Sequence, residues 1–408
     1  MEAPAALPVS LTRPPFTVSV ASFVSSFDRF AVSPMLVLIA IDLDVSLAAS
    51  VAAASGYYLA YGLTQPLWGL LSDRFGRVRV MRWALFGAAV AGAASALMPA
   101  LATLVVARVV TGACFGAVIP TGLTYVGDTV EPSHRHRALT DLLAAAALGT
   151  ALATGLGGVV AGLVDWRVGF AVPAVCALVC ALSLRSLPEP PRHEGAVQGV
   201  RRYLGAVLGQ RWALLVFGLA FTEGAIMLGA MPFLATALQH TGLDAAVAGL
   251  AITAYGLGLW AFSKLVKRLS GRWPAPLLML VGGTQLCVGF AIVSVYVSVP
   301  TVAVTALLLG GGWSFLHSSL QTWATSVVPE ARGTTIAFFA CALFVGSAVA
   351  SWAAGLLADQ GRYALLFGLA AAATVPLTAV ASLSRRRYGL SSSISYGGAA
   401  VTPDADRG

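Results

Sequence analysis

Four charged side chains lie inside long apolar stretches of this sequence, where a charge is energetically costly. Asp28 and Arg29 lie in the middle of the first stretch, Arg108 lies early in the fourth, and Glu223 lies in the middle of the seventh. A charge at the centre of a lipid bilayer costs about 2.5–3.5 kcal/mol on insertion scales. Burial also favours the protonated form of a carboxyl group. The two carboxylates are therefore candidates for proton exchange or for contact with a charged ligand.

A purely structural role is the alternative for each of these residues. Asp28 would then pair with Arg29 or Arg108, and Glu223 would form a hydrogen bond to an adjacent helix. Neighbouring residues on a helix point about 100° apart, so Asp28 and Arg29 cannot both face one cavity squarely. Arg108 keeps its charge, and it would hold a nearby carboxylate ionised until a proton or a ligand displaces it.

Polar residues on two other apolar stretches are further candidates. Trp313, His317 and Gln321 are spaced by four, so they share one face of a helix and are expected to point inward. His317 either carries a proton or is simply hydrogen-bonded. Tyr61 and Gln65, on the second stretch, are candidates to line the same cavity.

Membrane-spanning helices must position these residues. The chain has 408 residues, of which 58% are hydrophobic and 10% are charged, and its mean hydropathy is +0.83. Soluble domains carry about 25% charged residues, so the composition predicts an all-α integral membrane protein. Apolar stretches separated by turn-forming or charged breaks predict twelve transmembrane helices. Their predicted bounds are 16–41, 50–71, 80–98, 102–127, 138–163, 168–187, 212–236, 246–265, 274–296, 300–325, 334–358 and 363–384.

The basic residues indicate how these helices are oriented. All but four of the 25 Lys and Arg residues lie in segments that would face the cytoplasm, and the exceptions are Arg29, Arg108, Arg167 and Arg362. This distribution predicts that both termini are cytoplasmic. The net charge of +8 is spread over many loops, which argues against nucleic acid as a partner. High Ala, Gly and Arg with almost no Lys is typical of a GC-rich bacterial source and predicts an inner-membrane location.

The longest break divides the chain into two halves of six helices. It is rich in Pro, Gly and Arg, and an internal repeat supports the division, since Ala60–Leu63 recurs as Ala254–Leu257. The predicted segments are a cytoplasmic N-terminal tail (1–15), an N-terminal six-helix bundle (16–187), a cytoplasmic linker (188–211), a C-terminal six-helix bundle (212–384) and a disordered cytoplasmic tail (385–408).

The loop between the second and third predicted helices has the sequence G-L-L-S-D-R-F-G-R. It places Gly69, Asp73, Arg74, Gly76 and Arg77 at fixed spacing. This pattern resembles the loop signature of the major facilitator superfamily (MFS) of secondary transporters. The resemblance implies an MFS fold of two pseudo-symmetric six-helix bundles, alternating access, and a substrate site between the bundles near the middle of the membrane.

In the family, this loop acts as a latch between conformations. The resemblance implies that Asp73 faces the start of the eleventh helix, near Thr334, and that Arg77 pairs with Asp128 at the inner end of the fourth helix. Such contacts would favour the outward-open state and break on switching. The alternative is that the arginines determine topology alone.

The fourth and fifth predicted helices also bear on this resemblance. Arg108-x-x-x-Gly112-x-x-x-Gly116 is similar to a second family signature, which is implicated there in proton transfer. The resemblance is to the twelve-span branch of drug and metabolite exporters. These exporters often carry a Gly-Pro pair in the fifth helix, and this chain lacks the pair but keeps the final glycines Gly157 and Gly158.

Taken together, these features predict a proton-coupled transporter that exports a drug or metabolite. Uptake of an organic anion or another small nutrient is the alternative, and a transport-inactive sensor or scaffold is a remote one. The sequence has no P-loop, H-E-x-x-H or G-x-S-x-G pattern, so neither ATP-driven transport nor an enzyme is supported. We expect no cofactor and no metal. The expected partners are a small-molecule substrate, protons and the lipid bilayer, with the protein as a monomer.

Overall fold

The structure, a computed structural model, describes residues 11–190 and 200–397. Twelve long helices, some of them interrupted by a tight turn, make up most of this part, and β structure within it is limited to a bridge between Leu11 and Val130. A short helix, Val200–Leu208, precedes the second half. The long helices are Phe16–Asp42 (α1), Ala52–Phe75 (α2), Arg77–Leu97 (α3), Leu101–Thr129 (α4), Pro132–Leu163 (α5), Trp166–Ser186 (α6), Arg211–His240 (α7), Ala245–Leu269 (α8), Ala275–Val295 (α9), Val299–Val327 (α10), Pro329–Asp359 (α11) and Tyr363–Gly397 (α12).

The number and order of the predicted helices are confirmed. Among the described residues, eleven helices are long and apolar enough to cross a membrane. The remaining one, α2, is less apolar because it carries Tyr57, Tyr58, Tyr61 and Gln65, all of which are buried inside the protein. Its 24 residues extend about 36 Å, which exceeds the roughly 30 Å of the hydrocarbon core. We therefore count α2 as a spanning helix.

Two helix ends differ most from the prediction. The helix α5 begins at Pro132 rather than at 138, because proline suits the first helical position and the polar first turns extend beyond the apolar span. The helix α12 continues to Gly397, so residues 385–397 of the predicted tail are helical. There Arg385 lies over the rings of Trp323 and Tyr388, at 5.7 and 5.2 Å, and these contacts tie the extended helix to α10.

Parts of the predicted terminal and linker segments lie outside the described residues, namely 1–10, 191–199 and 398–408. In the described part of the predicted linker 188–211, the chain forms the helix Val200–Leu208 before α7 begins.

Each half has the same internal packing. In the first half α1 packs on α5, α2 on α4, and α3 on both α4 and α6. In the second half α7 packs on α11, α8 on α10, and α9 on both α10 and α12. A shift of six helices converts one set of contacts into the other, as expected for parallel repeats. Between the halves, α2 packs on α11 and α5 packs on α8. The same shift of six helices converts one of these two contacts into the other.

Close glycine contacts also repeat between the halves. Gly112 packs on the backbone of Tyr57, and Gly310 packs on the backbone of Tyr255. Each residue of the second pair lies 198 positions after its counterpart, from 57 to 255 and from 112 to 310. The structure therefore matches Tyr255 with Tyr57. The sequence repeat matched it with Tyr61, which is wrong by about one helical turn.

The two halves meet closely at one face of the membrane region. We call this the aspartate face, since Asp42, Asp44 and Asp359 lie there. Near it, Gly158 of α5 and Gly249 of α8 pack on each other's helix backbones. The side-chain amide nitrogen of Gln239, in α7, donates a hydrogen bond of 3.1 Å to the carbonyl of Pro34 in α1.

The halves separate toward the other face, which we call the arginine-rich face because Arg74, Arg77, Arg79 and Arg82 lie there. Midway along α2, Gly62 packs on Cys341 and Phe344 of α11. About two turns further along, a methyl group built at Gly69 would meet no atom within 4 Å, and the same holds at Gly333 near the start of α11. The helices α2 and α11 thus diverge toward the arginine-rich face.

Candidate functional site

Asp28 and Arg108 form a fully buried ion pair inside the N-terminal half. The exposed fractions of their side chains are 1% and 0%. Arg108 Nη1 donates to Asp28 Oδ1 at 3.1 Å, and Nη2 donates to Oδ2 at 3.0 Å. Two parallel hydrogen bonds of this kind hold both groups in a fixed orientation. Asp28 was expected to pair with Arg29 or with Arg108 in a structural role, and in the structure it pairs with Arg108.

Aromatic rings complete the surroundings of Arg108. Its guanidinium carbon lies 4.5 Å from the ring centres of both Tyr57, on α2, and Phe170, on α6. Cation–π contacts of this kind offset part of the cost of burying the charge. Four helices of the N-terminal half therefore converge on this ion pair.

Glu223 and His317 form the corresponding buried pair inside the C-terminal half. His317 Nδ1 lies 3.0 Å from Glu223 Oε2, and the Glu223 side chain is 0% exposed. The ring of Trp313 stacks on that of His317 with 3.8 Å between ring centres. Phe339 of α11 contacts the imidazole from another side, with its ring centre 5.6 Å away.

This pair can hold one proton in more than one place. A neutral imidazole donates its Nδ1 hydrogen to the carboxylate, whereas a protonated carboxyl group donates to an unprotonated Nδ1. The second oxygen, Glu223 Oε1, is buried and has no hydrogen-bond partner among the described residues. It can therefore accept a hydrogen bond or a proton from a molecule that enters the site.

A π-helical turn, Trp313–His317, positions this pair and was not anticipated from the sequence. Such turns are uncommon and occur mostly at functional sites. The run Gly310–Gly312 before the turn is the only local signal, and it is a weak one. Trp313 and His317 share a face as predicted, whereas Gln321 is exposed beyond the turn and does not contact Glu223 or His317.

Arg29 lies apart from both pairs, at the contact between the halves. Its guanidinium carbon is 4.9 Å from the ring centres of Phe30 and Tyr61 and 5.2 Å from that of Phe344 in α11. Tyr61 and Gln65, the candidates to line the cavity, are both buried.

Tyr255 connects the surroundings of the two halves. This buried tyrosine of α8 lies close enough to interact electrostatically with both Arg29 and Glu223. Within residues 11–190 and 200–397, no three His, Cys, Asp or Glu side chains come together as a metal site requires.

The loop between α2 and α3 is held within the N-terminal half by Arg77. Its Nε donates to Asp128 Oδ2 at 3.2 Å, which is the predicted contact, and its Nη1 bonds Asp73 and also Ser72, the latter at 2.9 Å. Gly76 has φ 103° and ψ 152°, a backbone conformation that residues other than glycine rarely adopt. Arg74 is exposed and lies over the ring of Phe75.

The expected contact between Asp73 and the start of α11 is not present in this conformation. In the described part of the chain Asp73 pairs with Arg77, and no ion pair or hydrogen bond joins it to α11. The physical reason is the divergence of α2 and α11 at this face, where both Gly69 and Gly333 face open space.

Glu189 is a contact of this loop that sequence reasoning missed. Its two carboxylate oxygens accept hydrogen bonds of 3.1 Å from the backbone N–H groups of Val78 and Arg79. It thereby satisfies free donors in the first turn of α3 and places negative charge at the positive end of that helix. No local pattern predicts the contact, since Glu189 lies 110 residues away, but Pro188 and Pro190 on either side stiffen its segment.

Comparison with known proteins places these features in a family. The family model of the Major Facilitator Superfamily matches residues 18–236 and 215–395. An uncharacterized MFS-type transporter, YfhI of Bacillus subtilis, is 24% identical over 91% of this chain and 94% of that protein. A chloramphenicol resistance protein of Streptomyces lividans is 26% identical over 82% of this chain and 86% of its own length. A triacylglyceride transporter of Mycolicibacterium smegmatis is 31% identical over 134 residues, and the matched region spans only 24% of that protein.

Solved structures of transporters have the same fold. A bacterial homologue of the human lysosomal transporter Spinster, in an inward-facing conformation, superposes with a TM-score of 0.73 at 14% identity and covers 91% of this chain and 96% of that one. A D-xylose–proton symporter gives a TM-score of 0.72 at 17% identity over 88% and 95% of the two chains. These likenesses concern the fold, whereas the family model covers both halves of the sequence. The chain therefore belongs to the major facilitator superfamily.

Proposed function

We propose that this protein is a proton-coupled transporter that exports a small organic molecule across a bacterial inner membrane by alternating access. The observation that carries the proposal is the buried pair of Glu223 and His317. A carboxylate with no exposed surface, bonded to a group that itself binds protons, is suited to take up and release a proton as the surroundings change.

Glu223, rather than Asp28, is assigned the proton. Protonation of Asp28 would leave the buried guanidinium of Arg108 without its counter-charge, and an uncompensated buried charge is strongly destabilising. Protonation of Glu223 leaves a neutral carboxyl group bonded to a neutral imidazole, which carries no such penalty. Asp28 and Arg108 are therefore assigned a structural role that fixes α1 against α4.

The way in which the halves meet supports alternating access. The positive-inside rule assigns the arginine-rich face to the cytoplasm, with both termini on that side. On this assignment the structure is open toward the cytoplasm and closed at the opposite face, where α5 meets α8 and α2 meets α11. Rocking of the halves about these contacts would expose the site to the other side. One chain supplies both halves, which is why we propose that the monomer is the functional unit.

The direction of transport is proposed from the relatives. The chloramphenicol resistance protein matches most of this chain, and resistance to an antibiotic is consistent with export. Uptake of an organic anion together with a proton is a second candidate, which the position of Arg29 between the halves favours. Flux measured in vesicles of known orientation decides between the two directions.

The proposal is tested in proteoliposomes that contain the purified protein and a trapped pH-sensitive dye. A growth screen of an efflux-deficient host, with chloramphenicol as the first compound, selects the substrate. We expect addition of this substrate to drive proton movement in the wild type. Glu223→Gln should abolish proton movement while it preserves exchange of labelled substrate for unlabelled substrate at equal pH. Glu330→Gln, the same change at an exposed position, is the matched control and should behave as the wild type.

Proton movement at the wild-type rate in Glu223→Gln would overturn the assignment of the proton to this residue. Substrate flux that ignores an imposed proton gradient in the wild type would overturn proton coupling itself.

A further inference from the structure

Arg29 differs from the other charged residues in the middle of the membrane region because it has no acidic partner. Asp28 pairs with Arg108, and Glu223 bonds to His317. No ion pair and no hydrogen bond from the Arg29 side chain is found among the described residues, and its buried Nε is unsatisfied. An unpaired cation this deep in a membrane protein is costly, and such residues usually mark a binding site or a transport pathway.

Aromatic rings hold the guanidinium group of Arg29 in place without neutralising it. The rings of Phe30, Tyr61 and Phe344 surround it at 4.9–5.2 Å from their centres. Tyr58 Oη donates a hydrogen bond of 3.5 Å to the backbone carbonyl of Arg29, which helps to fix the backbone. Cation–π contacts are weaker than an ion pair and leave the edge of the guanidinium plane, where its N–H groups point, free to bind an anion.

Arg29 lies among residues from both halves of the protein. Phe30 belongs to the same helix, Tyr61 to α2, and Phe344 to α11 of the other half. The guanidinium therefore lies where the two halves meet, close to the contact of Gly62 with Phe344. Arg29 is half-buried, so part of its surface remains accessible.

We propose that Arg29 binds the transported molecule through an anionic group, so that the substrate is an organic anion such as a carboxylate or a sulfonate. A planar guanidinium matches these groups with two parallel N–H···O hydrogen bonds. The proposal rests on the proposed transport function but not on its direction or on proton coupling.

The test is direct binding to the purified protein in detergent, measured by calorimetry and by the shift in melting temperature. The probes are matched pairs that share a body and differ in charge: benzoate with benzamide, and benzenesulfonate with benzenesulfonamide. We expect the anion of each pair to bind at micromolar to millimolar concentration and its neutral counterpart to bind at least about tenfold more weakly, the usual weight of a charge-assisted contact.

Variants at Arg29 separate charge from shape. Arg29→Gln should weaken anion binding by about tenfold to 100-fold, whereas Arg29→Lys, which keeps the charge, should weaken it less. Arg167→Gln is the matched control because Arg167 is at the aspartate face, where it pairs with Asp42, and its anion binding should equal that of the wild type. The melting temperature of each variant without ligand reports whether it is folded.

Three results would overturn the anion site: absence of binding by any of the anions at millimolar concentration, equal binding of charged and neutral members of a pair, or wild-type affinity in a folded Arg29→Gln. The outcome is distinguishable from failure of the proposed function. If a neutral molecule is transported together with protons, and Arg29→Gln transports it as well as the wild type, only the anion site is contradicted. If anions bind in a way that requires Arg29 but no proton movement is measured, only the proposed proton coupling is contradicted.

Discussion

Glu223 and His317 lie 3.0 Å apart in the C-terminal half, and the N-terminal half has no equivalent of this pair. At the interval of 198 residues that relates Tyr57 to Tyr255, the counterpart of Glu223 is Ser25. The N-terminal half instead holds Asp28 against Arg108, and the counterpart of Arg108 is Ala306. Imidazole can release its proton near neutral pH, but guanidinium cannot. Two pseudo-symmetric halves thus carry two chemically different pairs.

Asp28→Asn should destabilise the protein rather than uncouple it. The change leaves the guanidinium of Arg108 buried beside a neutral amide, and loss of one partner of a buried ion pair costs about 3–5 kcal/mol. We expect a clearly lower melting temperature in detergent and poor yield of folded protein. The double variant Asp28→Leu/Arg108→Met, which removes both charges, should recover part of this loss.

An exposed ion pair provides the control for this prediction. Asp42→Asn breaks the ion pair of Asp42 with Arg167, and both of these side chains are partly exposed. Exposed ion pairs contribute at most about 1 kcal/mol to the stability of a protein. A melting temperature of Asp28→Asn no lower than that of Asp42→Asn would contradict the structural role of the buried pair.

Asp73→Asn should shift the protein toward the conformation that is open at the arginine-rich face. If Asp73 contacts the start of α11 when this face is closed, loss of its charge removes that contact and leaves the open state unaffected. In a background without the five native cysteines, a cysteine at Gly333 should react faster with a polar thiol reagent in Asp73→Asn than in the parent. Equal rates in the two proteins would argue that the loop determines topology alone.

The sequence predicted the helices and several charged residues of the site because these depend on local patterns. Apolar length indicated the helices, and charge in an apolar stretch indicated Asp28, Arg29, Arg108 and Glu223. The contact between Arg77 and Asp128 followed from a family pattern and is present. These features can be predicted without knowledge of the tertiary structure.

The partner of Glu223 could not be predicted because it depends on how α7 and α10 pack. His317 was a candidate only for its place on a polar stripe, and the π-helical turn that aims it at Glu223 has no strong sequence signal. Arg29 and Asp28 are adjacent in sequence, yet one meets the other half of the protein and the other meets α4. Only the three-dimensional arrangement separates their roles.

Glu189→Ala should loosen the attachment of the segment after α6 to the loop after α2. The carboxylate caps two backbone N–H groups of α3, and loss of a helix cap costs about 0.5–2 kcal/mol. We expect a melting temperature a few degrees lower and faster proteolysis near Pro190. Glu330→Ala, at an exposed position in the first turn of α11, is the control. A proteolysis rate equal to that of the parent would show that the cap does not hold this segment.

Gly249→Val should prevent the halves from closing at the aspartate face. A side chain at this position meets the carbonyl oxygen of Thr154 and, at 3.1 Å, the Cα atom of Gly158, so α5 and α8 cannot approach as they do here. Overpacking of this kind costs about 1–3 kcal/mol in the closed arrangement alone. A cysteine at Gly162, near Ala246 in the same contact, should therefore become more reactive from the aspartate face. Gly218→Val is the control, since a side chain there meets no atom within 4 Å. If the cysteine at position 162 reacts equally fast in Gly249→Val and in Gly218→Val, the contact between α5 and α8 does not close the face.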